Sequence, residues 1–255
     1  MRDGSLIARF GRARRDPATA VLEGFHPVKH ALRFGAELQE LVTRDAAQLQ
    51  ALASRLAPDL ADRFEGAREI EPGVFDRLAP LAPTTGVMAL ASRPALDTAA
   101  LLAGSRAAPL VLLENPRDLG NIGACVRVAA GADASGVLST GTHDPWHPDA
   151  LRGSAGLHFA LPVARLDSLT ELDGAARPLL ALDPDGEELD PVRLQAEAIL
   201  AFGTERDGLS GDLLERADAR LRIPMRAGVS SLNLATSVAA VLFSWRLAGG
   251  APHSG

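Results

Sequence analysis

At 255 residues, with 47% hydrophobic and 23% charged residues, the chain has the composition of a soluble α/β protein of one or two domains and ample length to bury a core. A single cysteine, Cys125, excludes an intrachain disulfide and a cysteine-rich zinc site, and points to a reducing, cytoplasmic setting. No apolar run approaches a membrane span, no charged-then-apolar leader opens the sequence, and a net charge of −6 argues against whole-surface attraction to nucleic acid.

In chain order, Arg9, Arg12, Arg14 and Arg15 form a basic cluster that reads as a solvated arm. Lys29 is the only lysine, so positive charge rests almost wholly on arginine. Helices are expected from His26 to Arg33 and, capped by Asp45, from Ala46 to Leu56, where apolar residues recur at helical spacing. Between them Leu38 to Val42 is strand-like, and Glu71 to Leu78 starts another helix with Pro72 in its first turn. Gly86 to Ala91 suits a central strand. These elements make residues 1–95 a small α/β unit, and the Ala, Pro, Gly and Ser of 96–108 read as a linker before a domain at 109–255.

From Pro109 onward strands and helices alternate. Strands are expected at Leu110–Glu114, Gly136–Thr140, Phe159–Val163, Leu179–Asp183, Ile199–Gly203 and Leu221–Met225. Helices are expected at Asn121–Ala130, Pro148–Ala155, Ser168–Asp173, Ser210–Ala217 and Ser231–Leu247. Strands of continuous apolar residues in such alternation imply a parallel sheet covered on both faces. Pro224 should end the last strand, and Ser231 is placed to cap the final helix.

Three segments stand where ligands of open α/β sheets bind, at the carboxyl ends of strands. Asn121-x-Gly123-x-x-x-Arg127 enters a helix; read alone, it is an Asn cap and a surface arginine. Gly203-x-Glu205-x-x-Gly208-Leu209 sets an acid in a glycine-flanked turn. Ile223-Pro-Met225, followed by Ser230-Ser231-Leu232-Asn233, presents backbone donors, hydroxyls and an amide at a sheet mouth. His143 and His147 read as loop residues rather than metal ligands, His26, His30 and His158 as fold residues, and Trp146 and the phenylalanines form no stacking row.

In order and spacing, the three blocks resemble the SpoU (TrmH-type) branch of the trefoil-knotted RNA methyltransferases from about Pro109 to Trp245, with Pro148-x-x-x-Arg152-x-Ser154-x-Gly156, Phe159 and Pro162 similar to that family's connecting segment. Val21 to Gly24 and Gly86 to Ala89 resemble the ribosomal-protein-like RNA-binding domain that often precedes the knot. The resemblance implies a parallel-sheet knot domain, an S-adenosylmethionine pocket made by the knot, and a homodimer whose active sites are completed across the interface. It also implies methyl transfer to a ribose 2′-hydroxyl in rRNA or tRNA, with the N-terminal unit tilting the choice to rRNA. Carried over by position, Gly203, Ile223, Met225 and Leu232 would contact the cofactor, with Leu138 and Ser139 bordering the same pocket. Asn121, Arg127, Glu205, Ser231 and Asn233 would form the polar active-site set. Arg9, Arg12, Arg14, Arg15 and Arg152, with Arg33 and Arg117, become candidate RNA contacts, and no metal is required.

The family account makes the arginine at position 127 a general base. A guanidinium is effectively always protonated, so the alternative is that Arg127 grips a phosphate and stabilises alkoxide charge while Glu205 or a water takes the proton. Two other functional classes compete. A catalytically silent, knotted RNA-binding protein would be free to lose Arg127, Glu205, Ser231 and Asn233, which are intact. A nucleotide-binding oxidoreductase needs a GxGxxG cradle at the first strand-to-helix turn, which is absent.

Overall fold

The computed structural model describes residues 2–104, 106–204 and 207–249. The chain divides into two compact units between Ala95 and Leu96, and Trp146–Ala160 returns to the first of them.

The first unit runs α1 (Arg2–Ala13), β1 (Thr19–Glu23), α2 (Phe25–Arg33), β2 (Leu38–Thr43), α3 (Ala46–Leu56), β3 (Arg68–Glu69), α4 (Pro72–Phe75) and β4 (Val87–Ser92), with a 3-10 segment at Pro58–Phe64. Its sheet has the order β1-β4-β2-β3; β4 pairs antiparallel with both β1 and β2, and β3 lies parallel to β2. The apolar Gly86–Ala91 run thus does become an interior strand.

The arginine cluster is not a solvated arm. Arg9 and Arg12 belong to α1, and Arg14 and Arg15 to the turn that ends it. In α1 Leu6, Phe10 and Ala13 recur at helical spacing and bury beside Val21, Val42, Val74, Phe75, Met88 and Leu90. The apolar stripe, interrupted by cations on the opposite face, folds the segment onto the sheet. Asp45 caps α3 as expected, accepting from the Gln48 N–H at 2.8 Å.

The second unit begins inside the stretch expected as a linker. There α5 (Thr98–Leu102), capped by Asp97, buries Leu101 and Leu102 in the unit's core. Then follow β5 (Leu110–Leu113), α6 (Leu119–Gly131) and β6 (Gly136–Ser139); α7 (Pro148–Gly153) belongs to the first unit. The second unit resumes with β7 (Val163–Arg165), β8 (Leu179–Glu188), β9 (Ile199–Phe202), α8 (Gly211–Arg216), β10 (Ala219–Arg222) and α9 (Leu234–Leu247). The sheet is parallel throughout, in the order β10-β8-β9-β5-β6-β7.

Three strands differ from expectation. Strand β8 runs on to Glu188 instead of ending at Asp183. Phe159 ends a 3-10 turn, and the strand begins at Val163 because Pro162 has no N–H to give a ladder. The last strand stops at Arg222, and it is a half-exposed edge strand paired only with β8 rather than a buried one. Helix α9 starts three residues after Ser231. Asn233 is its cap, with Oδ1 accepting from the Ala235 N–H at 2.9 Å and the Thr236 N–H at 3.4 Å. Among the described residues no helix is long and apolar enough to cross a membrane.

Candidate active site

A cavity of about 650 Å³ opens at the carboxyl ends of β9 and β10. Its walls are the Gly203–Thr204 exit from β9 with Gly208, the loop Ile223–Leu232 after β10, Leu182 to Pro184 of β8, and Leu234 and Ser237 of α9. The volume lies in the range of small-ligand pockets, roughly 300–1,000 Å³. Phe202, Ile223, Leu232 and Leu234 give it apolar surface; Asp183, Ser230, Ser231, Ser237 and Arg226 give it hydroxyls and both signs of charge.

Gly203 is needed by close approach. A Cβ there would lie 2.1 Å from the Gly208 carbonyl carbon, so only glycine lets the loop fold back on itself. The fold-back is closed by Thr204 N–H to Gly208 O and Gly208 N–H to Thr204 O, both 3.1 Å. Leu209 then enters the core. Glu205 lies outside the described residues.

The site residues expected from sequence fall into three groups. Gly203, Ile223, Met225, Ser231 and Leu232 line the cavity together. Asn121 and Asn233, from opposite ends of the motif set, meet directly: Asn233 Nδ2 donates to Asn121 Oδ1 at 3.1 Å. Asn121 is not the cap of α6; Asp118 is, accepting from the Asn121 N–H at 2.7 Å. Arg127 is exposed, and lies six residues and so about 240° further round the same helix at 100° per residue. Among the described residues it makes no ion pair or side-chain hydrogen bond, and it does not line the cavity.

Leu138 and Ser139 do not line it either. Leu138 is fully buried in the sheet's core. Ser139 is also fully buried at the end of β6, and its hydroxyl has no hydrogen-bond partner among the described residues.

Four of the seven arginines proposed from sequence to bind RNA are engaged within the first unit, Arg33 among them through Asp59, and Arg117 pairs with Asp207 in the second. Arg9 bonds Glu40 at 2.6 Å, Arg14 bonds buried Glu23 at 2.5 Å and the Leu78 carbonyl at 3.0 Å, and Arg152 reaches Glu23 at 3.4 Å and also Asp149. Arg12 and Arg15 are exposed. Among the described residues no group of three or more His, Cys, Asp and Glu could hold a metal.

Glu114 and Ser210 escaped the sequence analysis. The carboxylate of Glu114, just past β5, accepts from both the N–H and the hydroxyl of Ser210, at 2.7 and 2.5 Å. The signal was a carboxylate directly continuing a buried Leu-Val-Leu-Leu strand, where burial without a partner is costly.

The SpoU rRNA Methylase family model matches residues 108–243. An uncharacterised tRNA/rRNA methyltransferase of Mycobacterium tuberculosis is 35% identical over 170 residues, which cover 62% of this chain and 58% of that protein. The chain thus spans between half and two thirds of the length of the relatives it matches at that level. The 23S rRNA (guanosine(2553)-2′-O)-methyltransferase RlmP of Bacillus subtilis is 26% identical over 242 residues, 92% of this chain and 91% of that one. The crystal structure of the SpoU methyltransferase AviRb from Streptomyces viridochromogenes in complex with AdoMet superposes with a TM-score of 0.75 at 26% identity, covering 94% of this chain and 97% of that one.

Proposed function

This chain belongs to the SpoU rRNA methylase family, and from that premise we propose that it is an S-adenosylmethionine-dependent methyltransferase acting on a ribose 2′-hydroxyl of structured RNA, ribosomal rather than transfer RNA. The observation that carries the reading is the cavity itself. Residues from the second and third motif blocks wall it, and the first block is bonded to the third through Asn121 and Asn233. The rRNA preference is supported by the near full-length relatives named as 23S rRNA 2′-O-methyltransferases in Bacillus subtilis and Streptomyces laurentii.

The residues present fit the cofactor. Phe202, Ile223, Leu232 and Leu234 offer apolar surface to an adenosyl group, Asp183 offers negative charge to a sulfonium, and Arg226 offers a fork to a carboxylate. When bound, S-adenosylmethionine supplies an electrophilic methyl group. The protein's task is to orient an oxygen nucleophile in line with it and to remove that oxygen's proton. Asn121 and Asn233, locked together, provide a fixed amide edge for the ribose. Arg127, protonated, holds a phosphate or the developing alkoxide, and Glu205 or a water takes the proton.

Arg127 points away from its own chain's asparagines, which supports a homodimer in which it serves the partner subunit's site. Exposed Met225, Val229, Phe243 and Leu247 supply apolar surface for such an interface. The path from edge strand β10 to α9, which packs on α6 beyond β8, supports the family's trefoil knot. A cytoplasmic location is supported by the single, buried thiol of Cys125.

Calorimetric titration with S-adenosylmethionine, followed by transfer of labelled methyl groups to 23S rRNA and tRNA, tests the reading. We expect binding, transfer to rRNA, and loss of transfer when the target ribose is 2′-deoxy. Folded protein that neither binds the cofactor nor methylates either RNA refutes it; transfer to tRNA alone refutes the substrate preference.

A further inference from the structure

Glu114 has no place in the motifs, yet the cofactor wall depends on it. Its N–H donates to the Phe202 carbonyl at 2.9 Å, extending the β5–β9 pairing by one residue, and the residue is only 8% exposed. Its two carboxylate oxygens take both donors of Ser210. The Ser210 hydroxyl has one proton to give, and gives it to Glu114. Its lone pair then accepts the Leu213 N–H at 3.2 Å and caps α8. One carboxylate therefore fixes the conformation of the cap and the point where the loop from Gly203 ends.

That loop is the cavity's β9 wall. Gly203, Thr204 and Gly208 line it, and the loop closes on itself through the Thr204–Gly208 hydrogen bonds. Its second tie, Arg117 to Asp207 at 2.7 Å, joins side chains that are 57% and 67% exposed, and such surface pairs contribute little. The buried tie is thus the stronger one. The turn that starts at Glu114 continues to Asp118, the cap of α6, and so to Asn121 and its bond with Asn233.

We propose that Glu114 is a positioning residue for the methyl-transfer site: through Ser210 it holds the cofactor wall in register with the helix that carries Asn121 and Arg127. The proposal rests on the functional reading above. In Glu114→Gln the side chain keeps its shape, but one oxygen becomes an NH₂ group. One Ser210 donor then faces a donor instead of an acceptor. The wall loosens while the sheet beneath it is unchanged.

The test uses the full chain as wild type, Glu114→Gln and Ser210→Ala. S-adenosylmethionine affinity is measured by calorimetry, and KM for cofactor, KM for rRNA and kcat by methyl transfer. Glu114→Gln should raise the dissociation constant and KM for S-adenosylmethionine at least tenfold, with KM for RNA within twofold and kcat at saturating cofactor within threefold. Ser210→Ala, which keeps the backbone donor, should give a smaller rise of the same kind. A merely structural role would move all three parameters together or none. Cofactor affinity within twofold of wild type in Glu114→Gln overturns the proposal, as does a parallel loss of cofactor and RNA affinity. If Glu114→Gln fails to fold, Ser210→Ala decides: a selective rise in cofactor KM supports the clamp, and no rise overturns it. A wild-type chain that binds no S-adenosylmethionine overturns the functional reading and this proposal with it.

Discussion

The clearest energetic lever in the second unit is Arg177, at the opposite end of the strands from the cavity. It is 4% exposed, and each of its five N–H groups meets an acceptor. Nε donates to Leu101 O at 3.0 Å; Nη1 to Ala108 O and Glu197 O at 3.0 and 2.9 Å; Nη2 to Arg106 O and Ser135 Oγ at 3.1 and 3.3 Å. Ala108, Ser135 and Glu197 sit just before β5, β6 and β9, and Arg177 itself leads into β8, so one guanidinium ties the starts of four adjacent strands. Burial pulls its pKa below the ordinary arginine value, with Glu197 countering in part. In Arg177→Met not every acceptor is orphaned. Ala108 O keeps the Ser135 hydroxyl, Arg106 O keeps the Ala108 N–H, and Leu101 O keeps a long contact from Gly104 N–H. Glu197 O loses its donor too, but it belongs to an exposed residue, so water takes the donor's place at small cost. The lost charge-assisted bonds and the void carry the cost, and removing a buried charge offsets part of it. The net expectation is about 2–4 kcal/mol, a large share of the roughly 5–15 kcal/mol that holds a domain folded. Arg177→Lys should do no better, because three donors cannot serve five acceptors and the charge stays buried. Urea denaturation followed by Trp245 fluorescence, in a Trp146→Phe background, reads the second unit alone, since the chain's two tryptophans lie one in each unit. An Arg177→Met midpoint that corresponds to less than about 0.5 kcal/mol of destabilisation, the scatter of ordinary surface substitutions, would refute the reasoning.

Other expected outcomes are as direct. Gly203→Ala forces its methyl into Gly208 and should abolish S-adenosylmethionine binding, measured by calorimetry, in a chain whose circular dichroism is unchanged. Asn233→Ala removes the α9 cap and the bond to Asn121; thermal melting should show a loss of about 1 kcal/mol, with weaker cofactor binding beside it. Arg127→Ala should keep cofactor affinity within about twofold and lose methyl transfer; equal loss of both would make Arg127 structural. His30 is held neutral by burial, which drops its pKa below the ordinary 6.5, while its Nδ1–H donates to the Ala155 carbonyl at 2.7 Å. The unfolded chain therefore takes up this proton at a higher pH than the folded one, so stability is full at neutral pH and falls as pH drops below 6.5 towards the folded value. Urea midpoints read through Trp146 should fall less between pH 7 and pH 5 in His30→Gln than in wild type.

Sequence pattern reached the interior strands β4, β5, β6 and β9 because their residues are mostly apolar in continuous runs, and Leu110–Leu113 and Ile199–Phe202 can only be interior; it did not reach β1 or the two-residue β3. It missed α1 because four arginines mask a stripe of only three buried residues, Leu6, Phe10 and Ala13. Caps were assigned to the wrong polar residue twice. Asn121 stands three residues past the true cap Asp118, and Ser231 two before the true cap Asn233, and a short polar side chain signals a cap without saying which backbone N–H it meets. The cavity's lining was legible because motif spacing fixes which strand end each residue leaves. Ser139 was not, because period-two alternation turned it inward rather than towards the mouth. Long-range partners such as Arg177 with Glu197, or Glu114 with Ser210, leave no local periodicity, and only the topology brings them together.

The two ends of the central strands are fastened in the same way and to different effect. At their starts, Arg177 spends every donor on carbonyls and a hydroxyl; at their ends, Glu114 takes both donors of one serine. Each is held by hydrogen bonds to oriented neutral groups, which fixes direction as well as distance. Between these fixed points the β9 wall of the cavity is closed and partly buried. The opposite wall, residues 224–231, is exposed along its length, and among the described residues its one backbone hydrogen bond of this kind is local, Val229 N–H to Arg226 O at 3.1 Å. A cavity with one rigid and one open wall keeps its shape on the side that must hold register with Asn121, and leaves on the other a segment of small residues that a ligand or a second chain can order. The placement of polar residues follows that division: the buried carboxylate stands behind the rigid wall, and the hydroxyls of Ser230 and Ser231 stand on the open one.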